Sequence, residues 1–307
     1  MTQDREGEAK VLTKTDSLST PEAIGLVQAL NADIFQLAAF MSDSFEAATN
    51  ETPADENPKG ALRIRGHLGD QLMVSLISWP HTDDPTVLQM ALQCYLVQMS
   101  RHITSDWTFD GSPVLAELYE QVRNSEDQAV AGRWRALSRS HLRHLSAGGN
   151  DALSGIRKFI CGGLADVLIS AKCQLSPSAV AEALTGKFGD RIYAIIDAAL
   201  NINRILGEEI TSADFEIVTC PGGVTFNPTW MEDAASDDSF YDGKSIVLCT
   251  TEMGLKRESR EVKGGQIAKE FTLLLKPKVT LESVLAQISS AGETRPEYTI
   301  EEWGETV

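Results

Sequence analysis

RIYAIIDAALNINRILGEEITSADFEIVTC, residues 191–220, is where this chain changes character. The first part reads as helix, the eighth and last of a nearly unbroken series, expected over 190–206. The second part ends in FEIVTC (215–220), a short β-branched run of the kind that forms strands or extended segments. Apart from the polar loop NETPADENPKG (50–60), the chain from residue 20 to this stretch reads as almost continuously helical. After it, Gly, Pro, Thr and Asp become frequent, and the apolar residues come in two further short runs, SIVLCTT (245–251) and FTLLLKPKV (271–279). The expected architecture is therefore mainly α: a bundle of about eight helices over 20–206, with an extended, partly β C-terminal segment (207–290) packed on it. Residues 1–19 are expected to be disordered and 291–307 to form a flexible acidic tail.

Working back from 191, Ser176-Pro177 opens a short seventh helix. Leu153, Ile156, Ile160, Leu164, Val167 and Ala171 give the sixth the cleanest apolar stripe in the chain. Gly162-Gly163 inside it cost a helix about 1 kcal/mol each, so a neighbouring backbone is expected to pack closely there. The fifth helix lies in SEDQAVAGRWRALSRSHLRHLSAGG (125–149), with Ser125 and Gln128 as a capping box and Gly148-Gly149 as the stop. Ser112-Pro113 opens the fourth. The third covers about 85–104, and the second 61–78. The first is announced by Thr20-Pro21-Glu22, with Thr20 as N-cap, and continues through Val27, Leu30, Ile34, Leu37, Met41 and Phe45. A last helical signal runs from Thr280 to about Ile288.

GRWRAL in the fifth helix, EITSADFEIVTCPGGVTFNPTWMEDA and VLCTTEMGLKRESRE resemble segments of uncharacterised hypothetical proteins of mushroom-forming fungi, a likeness spanning most of residues 20–285. That resemblance implies one helical body with an obligatory C-terminal segment. It carries no activity.

Of 307 residues, 27 are Lys or Arg and 44 are Asp or Glu, a formal charge of −17. An all-over nucleic-acid surface needs a positive field, so nucleic acid is not an expected partner. The opening residues are polar and mixed in charge, unlike a secretory leader. The apolar stretch taken as nearest to a membrane span, FICGGLADVLISA (159–171), falls short of the roughly 20 residues required. A soluble cytoplasmic protein with no membrane association is expected. Five widely spaced cysteines form no zinc or redox pattern and are expected to be reduced.

Catalytic signatures fail one by one. Asp83-Asp84 lacks the third acid of a terpene cyclase metal motif, and Lys158 stands where the second such motif, around Asn150-Asp151 and Ser154, needs an acidic ligand. No His has a Glu three residues before it, as a di-iron bundle requires. There is no G-x-S-x-G, and GGQIAKE (264–270) lacks phosphate-loop spacing. Cys220-Pro221-Gly222-Gly223 reads as a turn, with a reactive thiol as the alternative. MEDAASDDSFYDG (231–243) reads as an acidic loop. Ser259 follows Lys256-Arg257 in the manner of a phosphorylation site. No catalytic residue, metal or cofactor is assigned.

The candidate binding residues are Arg133, Arg135, Arg139 and Arg143. At 100° per residue, Val130, Trp134, Leu137, His141, Leu142 and Leu145 share one face of their helix, which is expected to be buried. Arg135, Arg139 and Arg143 form a stripe on the other side, while Arg133 and His144 flank the apolar face. No acid occurs between Asp127 and Asp151, so the stripe finds its counter-charge in solvent, in an external anion or in the acidic residues after 207. The expected function is a non-enzymatic binding or scaffold protein that recognises an acidic or apolar peptide, its partner being another protein or its own acidic C-terminal segment. The alternative is an enzyme or small-ligand binder that uses arginines in an inter-helix pocket to hold an anionic group.

Overall fold

The computed structural model describes residue 16 and residues 18–45, 58–81, 84–108, 112–146, 150–235, 243–263 and 266–291. Among them are ten α-helices, α1 (Thr20–Ser42), α2 (Pro58–Leu68), α3 (Asp70–Ser78), α4 (Thr86–Ser105), α5 (Val114–Ser125), α6 (Gln128–Ser146), α7 (Asn150–Ser170), α8 (Pro177–Thr185), α9 (Gly189–Arg204) and α10 (Ser283–Ala291). The molecule is mostly helical with a small sheet-containing C-terminal part. Asp83, Gly148-Gly149, the 236–242 part of the acidic loop and the tail from 292 lie outside the described residues.

α4 is the hub. It is buried along most of its length, with polar Gln93, Ser100 and Thr104 taken inside together with its apolar residues. It packs against α1, α2, α3, α7, α9 and two strands of the C-terminal part. The periodic residues of α1 (Val27, Leu30, Ile34, Leu37, Met41) and of α7 (Ile160, Leu164, Val167) close on it to form the main core. α1 is the one described helix long and apolar enough to cross a membrane by length and composition, a property the sequence reading gave to no segment. Its apolar stripe lies in this core.

Local chemistry moves several boundaries. Ser19, not Thr20, caps α1, its backbone N–H (2.8 Å) and hydroxyl (2.6 Å) both donating to the Glu22 carboxylate. The expected 61–78 helix is two helices, because Gly69 adopts φ +83°, a left-handed conformation that ends one helix and redirects the chain into the next. Ser125 is the last residue of α5, and Asp127 caps α6 by accepting from the Val130 N–H at 2.9 Å. Asp84 accepts from the Thr86 N–H at the start of α4.

α9 ends in a single π turn, Ile205–Glu209, and the sheets follow. β1 (Asp214–Val218), β4 (Gly254–Lys263) and β5 (Gln266–Leu275) form an antiparallel sheet in the order β1-β4-β5; β2 (Glu232–Asp233), β3 (Val247–Glu252) and β6 (Lys278–Leu281) form a second in the order β2-β6-β3. The three β-branched runs are thus paired strands and not extended surface segments. The sheet region also completes the core: Ile217, Leu248, Met253 and Leu255 belong to the same apolar cluster as α1 and α4. Two buried amides fix the junction. Asn31 of α1 donates to the Met253 carbonyl and accepts from its N–H, both at 2.9 Å, and Gln93 of α4 donates to the Thr251 carbonyl at 2.9 Å. Asp16, within the stretch expected to be disordered, accepts from the Thr211 N–H at 2.8 Å.

Candidate functional site

α6 packs in the reverse of the expected sense. Gln128, Ala131, Gly132, Arg135 and Ala136 face inward, whereas Val130, Leu137 and Leu145 are 40%, 46% and 83% exposed and His141 is also exposed. Trp134 and Leu142 are half-buried. Of the arginine stripe, Arg135 is buried, Arg139 half-buried and Arg143 exposed, so the interior face runs through Arg135 and the small residues beside it while Val130, Leu137 and Leu145 lie outside.

The reason is what the stripe meets. The last carbonyls of a helix have no partner within it, and a guanidinium satisfies several at once. Arg135, only 5% exposed, reaches the end of α9 and its π turn. Its Nε donates to the Gly207 carbonyl at 3.2 Å, its Nη2 to those of Ile210 and Ala213, and its Nη1 to the Tyr119 hydroxyl at 3.3 Å and the Asp214 carboxylate. Small residues make the approach possible. A Cβ on Gly132 would stand 2.2 Å from the Thr211 carbonyl oxygen, and one on Gly207 would stand 2.5 Å from Cδ of Arg139.

Asp214, 7% exposed, is the centre of a buried ionic cluster. Tyr119 donates to its Oδ1 at 2.5 Å, and Arg260 of β4 donates to its Oδ2 at 2.5 Å. Arg260 also donates to Glu258, which is paired at 3.2 Å with Arg123 of α5. Burial raises the Tyr119 pKa above its ordinary value, so the phenol stays a donor.

Arg139 takes a neutral shell. Its guanidinium lies 4.4 Å from the Trp107 ring centroid and donates to the Asp106 and Ser105 carbonyls and to the Asn203 amide oxygen. Burial without a matching carboxylate lowers its pKa to about 10. Trp107, Tyr119 and Trp134 cluster here, with the Tyr119 and Trp134 rings stacked at 5.9 Å. Trp107 also lines a cavity of about 260 Å³ between the end of α4 and the start of α5. Arg143 forms a two-pronged bond with Glu208, at 2.9 and 2.6 Å. Arg133 stands exposed on the outer face.

The four candidate arginines thus part company. Arg135, Arg139 and Arg143 bind the end of α9 and its surroundings, and Arg133 belongs with the outward apolar row. Tyr119, Asp214 and Arg260 escaped the sequence reading, since nothing in local spacing marks residues brought together from α5, β1 and β4.

Elsewhere, the Gly223 N–H donates to the Val247 carbonyl, Cys220 is bridged through backbone to the Thr250 hydroxyl, and burial raises the Cys220 thiol, so this segment is a turn held on β3. Ser259 sits within β4, paired with Glu270. Lys263 pairs with Gln266 across Gly264-Gly265, which lie outside the described residues. Among the described residues no three His, Cys, Asp or Glu side chains gather as a metal site.

Comparison with protein-family models, with curated proteins and with solved structures found no match to this chain.

Proposed function

We propose that the protein is a binding module whose docking surface is the outer face of α6, joined by Val114 and Leu118 of α5, and whose partner presents an acidic amphipathic segment. The single observation that carries this reading is the outward apolar row. Val130, Leu137 and Leu145 are exposed on a helix whose opposite face is committed to the interior. They follow helical steps shared with Arg133, His141 and His144, so apolar and basic groups alternate along one line about 22 Å long. No acid interrupts it after Asp127. Val114 and Leu118, at 62% and 47% exposure on the preceding helix, are further exposed apolar residues on a helix packed against α6.

Apolar rows of this kind in a chain otherwise rich in surface charge mark interaction sites. An amphipathic helix bearing apolar anchors and flanking acids matches both components, the anchors gaining burial and the acids meeting Arg133. Because the protein is strongly acidic elsewhere, an acidic segment is repelled from other faces and guided to this one.

The test uses two synthetic amphipathic helical peptides with the same apolar face, one rich in Glu and one rich in Lys, titrated into the isotope-labelled full chain. Resonances of Val130, Arg133, Leu137 and Leu145 are expected to move with the acidic peptide, and to stay in place when Leu137→Glu or Arg133→Glu is introduced. Equal shifts with both peptides, or shifts confined to other surfaces, would overturn the reading.

A further inference from the structure

Gly162 and Gly163 of α7 have the same helical cost but different surroundings. A Cβ on Gly163 would stand 2.0 Å from the Tyr95 hydroxyl, so packing demands that glycine, although the neighbour is a ring and not the expected backbone. Gly162 has nothing within 4 Å of the place its Cβ would occupy. What lies there is a cavity of about 370 Å³ between α7 and α8. Its volume falls within the few-hundred-Å³ range of small-molecule sites.

The cavity is graded along its length. Ser154, Arg157 and Lys158 of α7 and Thr185 of α8 line one end, where Arg157 reaches across to the Thr185 carbonyl at 3.5 Å. Cys161, Gly162 and Ala165 of α7 and Ala181 of α8 line the other, and all of them are small. Neither Arg157 nor Lys158 is within ion-pair distance of a carboxylate among the described residues, whereas Arg63, Arg65, Arg123, Arg135, Arg143, Arg204 and Arg260 are so paired. Two cations without acids at one end of an apolar slot complement a ligand with one anionic head and a slender apolar body.

We infer that the α7–α8 cavity is a binding site for a linear alkyl monocarboxylate, its carboxylate held by Arg157 and Lys158 and its chain laid over Gly162 and Ala165. A guanidinium and an ammonium bind a carboxylate through charge-assisted hydrogen bonds. The missing side chain at Gly162 leaves the floor open to the alkyl chain, which accounts for a helix-weakening residue that packing does not require. The site lies on different helices from the α6 face and stands or falls independently of it.

Cys161 supplies a reporter inside the cavity. The full-length protein is treated with iodoacetamide at mildly alkaline pH in the presence of decanoate, octanoate, decanol or decylamine, and alkylation of the Cys161 peptide is followed by mass spectrometry, with the Cys173 peptide as internal reference. Decanoate is expected to slow Cys161 modification selectively, octanoate less so, decanol weakly and decylamine not at all. Arg157→Gln is expected to raise the half-protecting decanoate concentration about tenfold, as loss of a charge-assisted bond implies. Gly162→Leu, which fills the floor, is expected to abolish protection, with Gly162→Ala as a folded intermediate case. Equal protection by decanol and decanoate, undiminished protection in Arg157→Gln, or no protection by any of the four compounds would overturn the inference.

Discussion

Replacing Asp214 by Asn tests why α6 turns Arg135 inward. The side chain is 7% exposed and contacts Arg135, Arg260 and Tyr119, with both arginines themselves buried. Asn keeps the shape and removes the charge, and its NH₂ must face a guanidinium, since Arg135 and Arg260 donate to the two carboxylate oxygens it would replace. Breaking a buried ion pair on one side costs about 3–5 kcal/mol, because the remaining charge stays desolvated. At about 2 °C per kcal/mol for a chain of this size, the melting temperature falls by about 6–10 °C. Thermal unfolding followed by circular dichroism and by tryptophan fluorescence measures it, with Trp107 and Trp134 close to the cluster. A double-mutant cycle with Arg135→Met is expected to show coupling of about 1–3 kcal/mol. The triple variant Arg135→Met/Asp214→Leu/Arg260→Met, which removes all three charges, recovers only part of the loss, since the Gly207, Ile210 and Ala213 carbonyls lose their donor with Arg135. An Asp214→Asn protein that melts within 2 °C of the parent, or strict additivity in the cycle, would refute the account of the cluster.

Stability falls with acid in the histidine range. Burial lowers the pKa of His67, His81 and His102 below the ordinary 6.5, and His67 and His102 lie edge to face at 6.0 Å. Each is neutral when folded, and the unfolded chain takes up the proton first. Their contribution is therefore complete above 6.5 and is lost as the pH drops below it. Urea midpoints measured across this window should decline, and His102→Gln should flatten the decline; a midpoint independent of pH counts against it. The paired glycines of α7 should respond with opposite signs: Gly163→Ala loses about 1–3 kcal/mol against the buried Tyr95 ring, while Gly162→Ala gains up to about 1 kcal/mol of helix propensity. Equal effects at the two positions in chemical denaturation would show that the space around them has been misjudged.

The sequence alone determined where helix gives way to sheet and roughly where each helix lies, because periodicity and punctuating Pro, Gly and Asp act within a few residues. It was silent where partners come from far away: Asn31 with Met253, Gln93 with Thr251, Asp214 with Arg260. It also misled at one helix. α6 has two faces with a claim on the interior, and ranking them by hydrophobicity alone favours Val130, Leu137 and Leu145 over Arg135 and Arg139. Only the tertiary structure decided the contest, by bringing the open carbonyls at the end of α9 and the Asp214 carboxylate to this helix, through an approach that Gly132 and Gly207 permit. Buried main-chain acceptors and a buried carboxylate incur a large desolvation cost unless donors reach them, so donors took the inner face and the apolar row was left outside.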